Sequence, residues 1–300
     1  MHLPQVMVII AALCWGFIAV FVKKLTSYGF TEMEIVTIRT TSALILTIPL
    51  VLVQKDPTIL KISPKHIPYF FGTGVLSIAF FNWCYFTAMN KMSISLAVML
   101  LYTSPAFVAI LSVFFLKEHM NQRKIAAIAA TIIGCSMIAL AGGSTDNEWS
   151  FIGFMIGLGA GLGYALYSIF GKLALQYYES FTITFYTFVV ATACLLPFFP
   201  FWKKLHGLPL EAWVYMIGLG FVPTVLAYLL YTVGLRKMES SKAAILATVE
   251  PIAAVMVGVL LFSETILLVQ VIGALFILSS VVIVSNVRKP SQQWYEKRTS

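Results

Sequence analysis

The sequence predicts an all-α integral membrane protein: ten transmembrane helices forming two inverted five-helix repeats around a central cavity. Three observations carry that prediction. Hydrophobic residues make up 60% of the 300-residue chain and charged residues only 11%, where soluble domains carry roughly a quarter. The apolar residues gather into runs of about 20, the length that crosses the ~30 Å hydrocarbon core as a helix. The chain also repeats itself: a shift of 146 positions lays residues 69–118 onto 215–264 without a gap, and twelve of the fifty positions are identical. Among them are Tyr85/Tyr231, Ser95/Ser241, Pro105/Pro251 and Glu118/Glu264.

The runs fall at about 5–23, 35–53, 67–89, 94–116, 123–141, 151–171, 181–201, 211–235, 242–262 and 266–286. Helices are the only reading for them, because lipid cannot satisfy an unpaired backbone. The first run lacks a basic n-region and a small-residue cleavage site, so it reads as a retained helix. The second carries Arg39, and the third and fourth form the first copy of the repeated block. The fifth closes a first half, 1–145, before the Gly-rich acidic stretch 142–148. In the sixth, Gly153, Gly157 and Gly161 recur every four residues, a face for close helix packing. The seventh holds Pro197, the eighth and ninth repeat the third and fourth, and the tenth ends before a solvated tail, 287–300. The second half is thus 146–300, and the two halves form one structural unit. Five is odd, so the halves run oppositely through the membrane, as in many secondary transporters.

The net charge of +8 is explained by orientation rather than by nucleic acid. Fourteen of the twenty Lys and Arg residues fall on the side of the chain termini; the opposite loops hold Lys23, Lys24, Lys91, Lys203 and Lys204, and Arg39 lies within a span. That bias is the positive-inside signal. It places both termini in the cytoplasm and the protein in the cell (inner or plasma) membrane. Cys14, Cys84, Cys135 and Cys194 lie in spans without paired spacing, so no disulfide framework or metal site is expected. No cofactor is expected either.

The repeated block reads Ser95-Leu96-Ala97…Ser104-Pro105…Leu116-Lys117-Glu118, then Ser241-Lys242-Ala243…Glu250-Pro251…Phe262-Ser263-Glu264 followed by Gly273. This wording resembles the EamA family of the drug/metabolite transporter superfamily over about residues 5–286. Ala127 stands where the second copy has Gly273. The resemblance implies the ten-helix fold and export of a metabolite, and an Arg at the position of Arg39 is common in it.

Glu250 is the sharpest functional candidate. It lies eight residues past Lys242, about 12 Å along a helix axis, and a carboxylate at midplane costs at least ~2.5 kcal/mol when ionised. It can bind an amine or carry a proton; the plainer reading is a neutral Glu bonded to a neighbouring helix. Its counterpart in the first half is Ser104. Pro105 and Pro251 each free the carbonyl four residues back, Leu101 and Ala247, either for a cavity or only as a kink. Arg39, four residues into its span, either snorkels to the surface or turns inward. Asn82 and Tyr85 share a face of span three; their counterparts Tyr228 and Tyr231 follow Thr224 on span eight. Trp15 corresponds to Tyr164, and Tyr167 continues that face. With Tyr102 in span four, these residues are expected to line the cavity. Any one tyrosine could equally serve as an interhelical hydrogen-bonding group. Glu118 and Glu264, at helix ends, are read as loop structure.

This inventory points to a secondary transporter, not an enzyme, moving a small organic metabolite by alternating access. An amino acid or similar zwitterionic or aromatic compound fits first, and a cationic or multidrug exporter of the same fold second. No Walker-type loop is present for ATP. A lipid enzyme would need a nucleophile–base pair or a metal cluster at one depth, and a channel would favour a ring of like residues. The expected partners are the solute, the lipid bilayer and, through Glu250, a candidate coupling proton.

Overall fold

A computed structural model of the chain describes residues 2–53, 60–141, 150–263 and 265–285. Lys55, the stretch 142–148, Glu264 and the tail 287–300 lie outside them. Ten apolar helices follow one another. They are α1 (Leu3–Ser27), α2 (Glu32–Val53), α3 (Pro64–Met89), α4 (Ile94–Leu101 continuing as Ser104–Leu116) and α5 (Gln122–Ala141), then α6 (Phe151–Ala174), α7 (Ser180–Leu195), α8 (Leu210–Arg236), α9 (Ser240–Ala247 continuing as Glu250–Phe262) and α10 (Leu268–Ser285). Among the described residues nine are long and apolar enough to cross a bilayer. The exception is α7, expected to reach residue 201 but ending at Leu195 after 16 residues, a rise of about 24 Å. Pro197 and Pro200 follow within five residues and prevent its continuation.

Local chemistry sets the helix starts. Thr31 and Glu34 form a reciprocal capping box before α2, with the Thr31 amide donating to Glu34 Oε2 at 2.8 Å and the Glu34 amide to Thr31 Oγ1 at 3.4 Å. The side chains of Ser93, Asn121 and Ser150 accept the amides of Leu96, Lys124 and Gly153, capping α4, α5 and α6. Helix α1 breaks at Phe17. Helices α3 and α8 each contain a π-helical stretch, Gly72–Phe80 and Phe221–Leu226, at overlapping positions of the repeat. In α8 Pro223 lacks an amide to donate, and the Thr224 hydroxyl bonds the Leu219 carbonyl five residues back at 2.7 Å. Repeat symmetry reaches further still. Lys117 and Ser263, one shift apart, end α4 and α9 in the left-handed region, both at φ 56°.

The halves interlock rather than stand side by side. A Cβ on Gly72 of α3 would meet the Phe170 ring of α6 at 2.2 Å, and one on Gly218 of α8 would meet Phe21 of α1 at 2.7 Å. Each half thus receives an aromatic ring from the other at the same repeat position. Helices α5 and α10 pack along their lengths and cross at backbone contact, where a Cβ on Gly134 would lie 2.5 Å from the Gly273 carbonyl and one on Gly273 would lie 2.7 Å from that of Gly134. Gly134, not the position of Ala127, therefore partners Gly273. Thr131 Oγ1 bonds Ser280 Oγ at 2.9 Å beyond the crossing, so the two helices run antiparallel. The Gln5 side chain reaches the Ser285 carbonyl at 3.5 Å, which brings the start of α1 and the end of α10 to the same face. Gly153, Gly157 and Gly161 of α6 pack against Met92, Leu100 and Thr103.

Candidate functional site

Helices α4 and α9 do not merely kink at their prolines; they break. The first segment of α9 ends at Ala247, the chain turns through Thr248 and Val249, and a new helix starts with Glu250 followed by Pro251. Proline fits there because a helix's first positions need no amide donor. In α4 the break falls at Tyr102–Thr103, and the second segment starts with Ser104 and Pro105. The Leu101 carbonyl packs toward Gly161 of α6. Glu250 thus opens a helix, where the positive end of the backbone dipole favours a carboxylate. It is ten residues from the start of α9 at Ser240, about 15 Å in and half-way through a ~30 Å core.

The Glu250 carboxylate accepts the Tyr164 hydroxyl of α6 at 2.9 Å. Glu250, Tyr164 and Tyr85 are half-buried, so each keeps accessible surface in mid-bundle. Trp15 sits beside them, its ring centroid 6.3 Å from Tyr164, 5.6 Å from Tyr228 and 5.3 Å from Tyr231. The next residue, Gly16, holds it in place: a Cβ there would strike Ala253 of α9 at 2.4 Å, so α1 lies directly on the helix that carries Glu250.

Arg39 closes the other end of this aromatic box. Helix α2 begins at Glu32, three residues earlier than its apolar run suggests, so Arg39 is deeper than expected and does not snorkel. It is buried, with Nε donating to Thr224 Oγ1 at 3.1 Å and an Nη to the Tyr228 hydroxyl at 3.2 Å, and the guanidinium stands 5.6 Å from the Tyr228 ring centre. Arg39 and Glu250 form no ion pair; Tyr228, Trp15 and Tyr164 connect them in sequence.

The other expected residues divide. Tyr167 is buried against Tyr228 at 4.9 Å and bonds Thr232 at 2.7 Å, and the Tyr231 hydroxyl bonds Ser168 at 2.6 Å; both phenols hold helices together. Tyr85 stacks on Phe81, whose ring meets Tyr164 edge-on at 5.4 Å. Tyr102 is buried at the break of α4, beside Cys135 and Ile252. Asn82 turns back on its own helix and donates to the Ile78 carbonyl at 2.8 Å. Ser168 and Thr232 are the buried partners of the Tyr231 and Tyr167 phenols. Sequence reading passed over both, since a lone hydroxyl in an apolar run has no periodic signal. Among the described residues no three His, Cys, Asp or Glu side chains are grouped to hold a metal ion.

The family model described as "EamA-like transporter family" matches the chain twice, over residues 3–140 and 151–286. The chain belongs to that family. It is therefore a multi-pass membrane transporter and not an enzyme. An "Uncharacterized transporter" of Archaeoglobus fulgidus is 32% identical over 213 residues, covering 70% of this chain and 75% of that protein. A Salmonella typhimurium protein named "Probable amino-acid metabolite efflux pump" is 23% identical over 284 residues, covering 89% of this chain and 93% of its own. A solved crystal structure superposes with a TM-score of 0.76 at 14% identity, over 94% of this chain and 96% of that one; that likeness concerns the fold.

Proposed function

We propose that this EamA transporter exports a small amine-bearing zwitterion, an amino acid or a related aromatic metabolite, by alternating access. The observation that carries the reading is the pair of opposite charges, Glu250 and Arg39, held apart at the two ends of a Trp–Tyr box. A zwitterion laid across Trp15 offers its ammonium to Glu250 and its carboxylate to Arg39. Both charges are then neutralised in a low-dielectric site, where pairing counts for most. The name of the Salmonella typhimurium relative supports this choice of solute. The excess of Lys and Arg in the loops on the side of the termini supports a cell-membrane protein with both termini in the cytoplasm, with residues 1–145 and 146–300 as the inverted halves.

A second reading, export of cationic compounds, draws on a specific feature. Arg39 already spends two donors on Thr224 and Tyr228, while Glu250 faces aromatic rings that attract cations. Counterflow in proteoliposomes separates the two. Radiolabelled L-phenylalanine is trapped by an internal pool of the same amino acid if the first reading holds. Phenethylamine, which lacks the carboxylate, does so alone under the second. Absence of saturable counterflow for either sinks both.

A further inference from the structure

Away from the aromatic box, one carboxylate crosses from the first half to the second. Glu118 follows the end of α4, and its Oε1 accepts the Ser240 amide at 2.5 Å while Oε2 accepts the Ser241 amide at 3.2 Å and the Ser241 hydroxyl at 2.5 Å. It thereby caps the first turn of α9, whose own preceding residue, Glu239, contributes no side-chain cap. Lys124 of α5 completes the cluster. Only 1% exposed, its ammonium lies 2.8 Å from Glu239, 3.9 Å from Glu118 and 2.8 Å from the His119 carbonyl. A buried ammonium needs such partners, and losing one is costly.

On the opposite face the counterpart of Glu118, Glu264, lies outside the described residues, and the neighbouring positions carry the comparison. The segment equivalent to the start of α9 is the start of α4, which is capped by its own Ser93. The equivalent of Lys124 is Gln270, whose side chain turns back to accept the Leu267 amide at 3.0 Å. Inter-half ion pairs on that face, Lys204–Glu34 and Lys24–Glu211, are partly exposed and join α2, the end of α1 and the entry to α8. Among the described residues, the charged tie between the two broken helices is on the lysine-rich face.

We infer that Glu118 and Lys124 form an inter-repeat latch that holds the cytoplasmic face closed, and that opening to that face requires the Glu118 carboxylate to leave the α9 N-terminus. The inference rests on the alternating-access reading but not on which solute moves. Closed, every charge in the cluster is paired; open, each is hydrated; part-way, Lys124 would be buried with too few partners. That penalty makes the element two-state. Because α9 also carries Glu250 and α4 carries Ser104, releasing the latch frees both broken helices where they border the site.

Spin labels at the exposed positions Gln122 and Lys237, one in each half, report the separation without any solute. The parent protein should give one short-distance population. Glu118→Gln should transfer it to a longer distance, raising the open fraction roughly tenfold or more, the scale of losing charge-assisted hydrogen bonds. Ser241→Ala should move it the same way by less, and serves as the test if Glu118→Gln does not fold. An unchanged distance distribution alongside a lowered thermal midpoint would show a local helix cap and overturn the latch. No change in either quantity would overturn it as well. Loss of transport with no change in distance would implicate the solute site rather than the latch.

Discussion

Helices α4 and α9 have almost the same backbone and different chemistry. Both break two-thirds of a turn before a proline, both restart with that proline second in the new segment, and both finish at φ 56°. The backbone of one could stand in for the other. Yet the residue that opens the second segment is Ser104 in one and Glu250 in the other, and the first segment is capped locally by Ser93 in one and from across the bundle by Glu118 in the other. Duplication supplied the breaks, and divergence at a few polar positions decided where charge sits. The second half, with Glu250, Tyr164 and Tyr228, supplies the carboxylate of the candidate site and two of its tyrosines, while the first contributes Trp15, Tyr85 and Arg39.

The sharpest way to break this comparison is to erase the charge difference. Glu250→Gln removes the anion and keeps the shape, and should lower proteoliposome counterflow of L-phenylalanine by about 100-fold, the scale of an ionic hydrogen bond worth 1.5–3 kcal/mol. Uptake and counterflow at parent levels would show that Glu250 is only a structural partner of Tyr164. Arg39→Lys tests the other end. It keeps the charge but loses the planar fork that bonds Thr224 and Tyr228 together, and should raise the KM for L-phenylalanine about tenfold while leaving binding of phenethylamine unchanged. An equal effect on both compounds would assign Arg39 to helix packing.

Smaller effects test where the halves agree. Gly134→Ala and Gly273→Ala each drive a methyl into the other helix's carbonyl and should destabilise the detergent-solubilised protein by about 1–3 kcal/mol, with similar falls in thermal midpoint. A fall in one variant alone would show that the crossing is not symmetric. Least of all, Lys117→Gly and Ser263→Gly relieve the left-handed conformation, worth about 1 kcal/mol each, and should raise the midpoint by comparable amounts. A loss of stability in either would mean that its side chain contributes more than its backbone costs.

Much of this was legible beforehand because a membrane permits few backbones. Ten apolar runs separated by short polar stretches leave little choice of element, and an odd number per repeat dictates inversion. The breaks were half-visible: Pro105 and Pro251 marked the place, but a proline alone does not distinguish a bend from a restart. The π-helical stretches left no periodic trace in the mostly apolar runs of α3 and α8. Depth was misjudged for Arg39 because Glu32 and Glu34 belong to the helix despite their charge, Glu32 exposed and Glu34 satisfied by capping and by Lys204. Glu118 read as loop structure because its partners, Ser240 and Ser241, lie 122 and 123 residues away. Its identity with Glu264 in an otherwise diverged repeat was the signal to follow.

The crossing of α5 and α10 has a consequence for how the protein is made. The groove on α5 at Gly134 is shaped for a helix that leaves the ribosome long after α5 itself. Until residues 268–285 have emerged and inserted, the first half waits in the membrane with its closest backbone contact unmade. Docking of the two halves along this seam thus waits for α10, and a chain truncated before it would reach the bilayer with the α5 groove open.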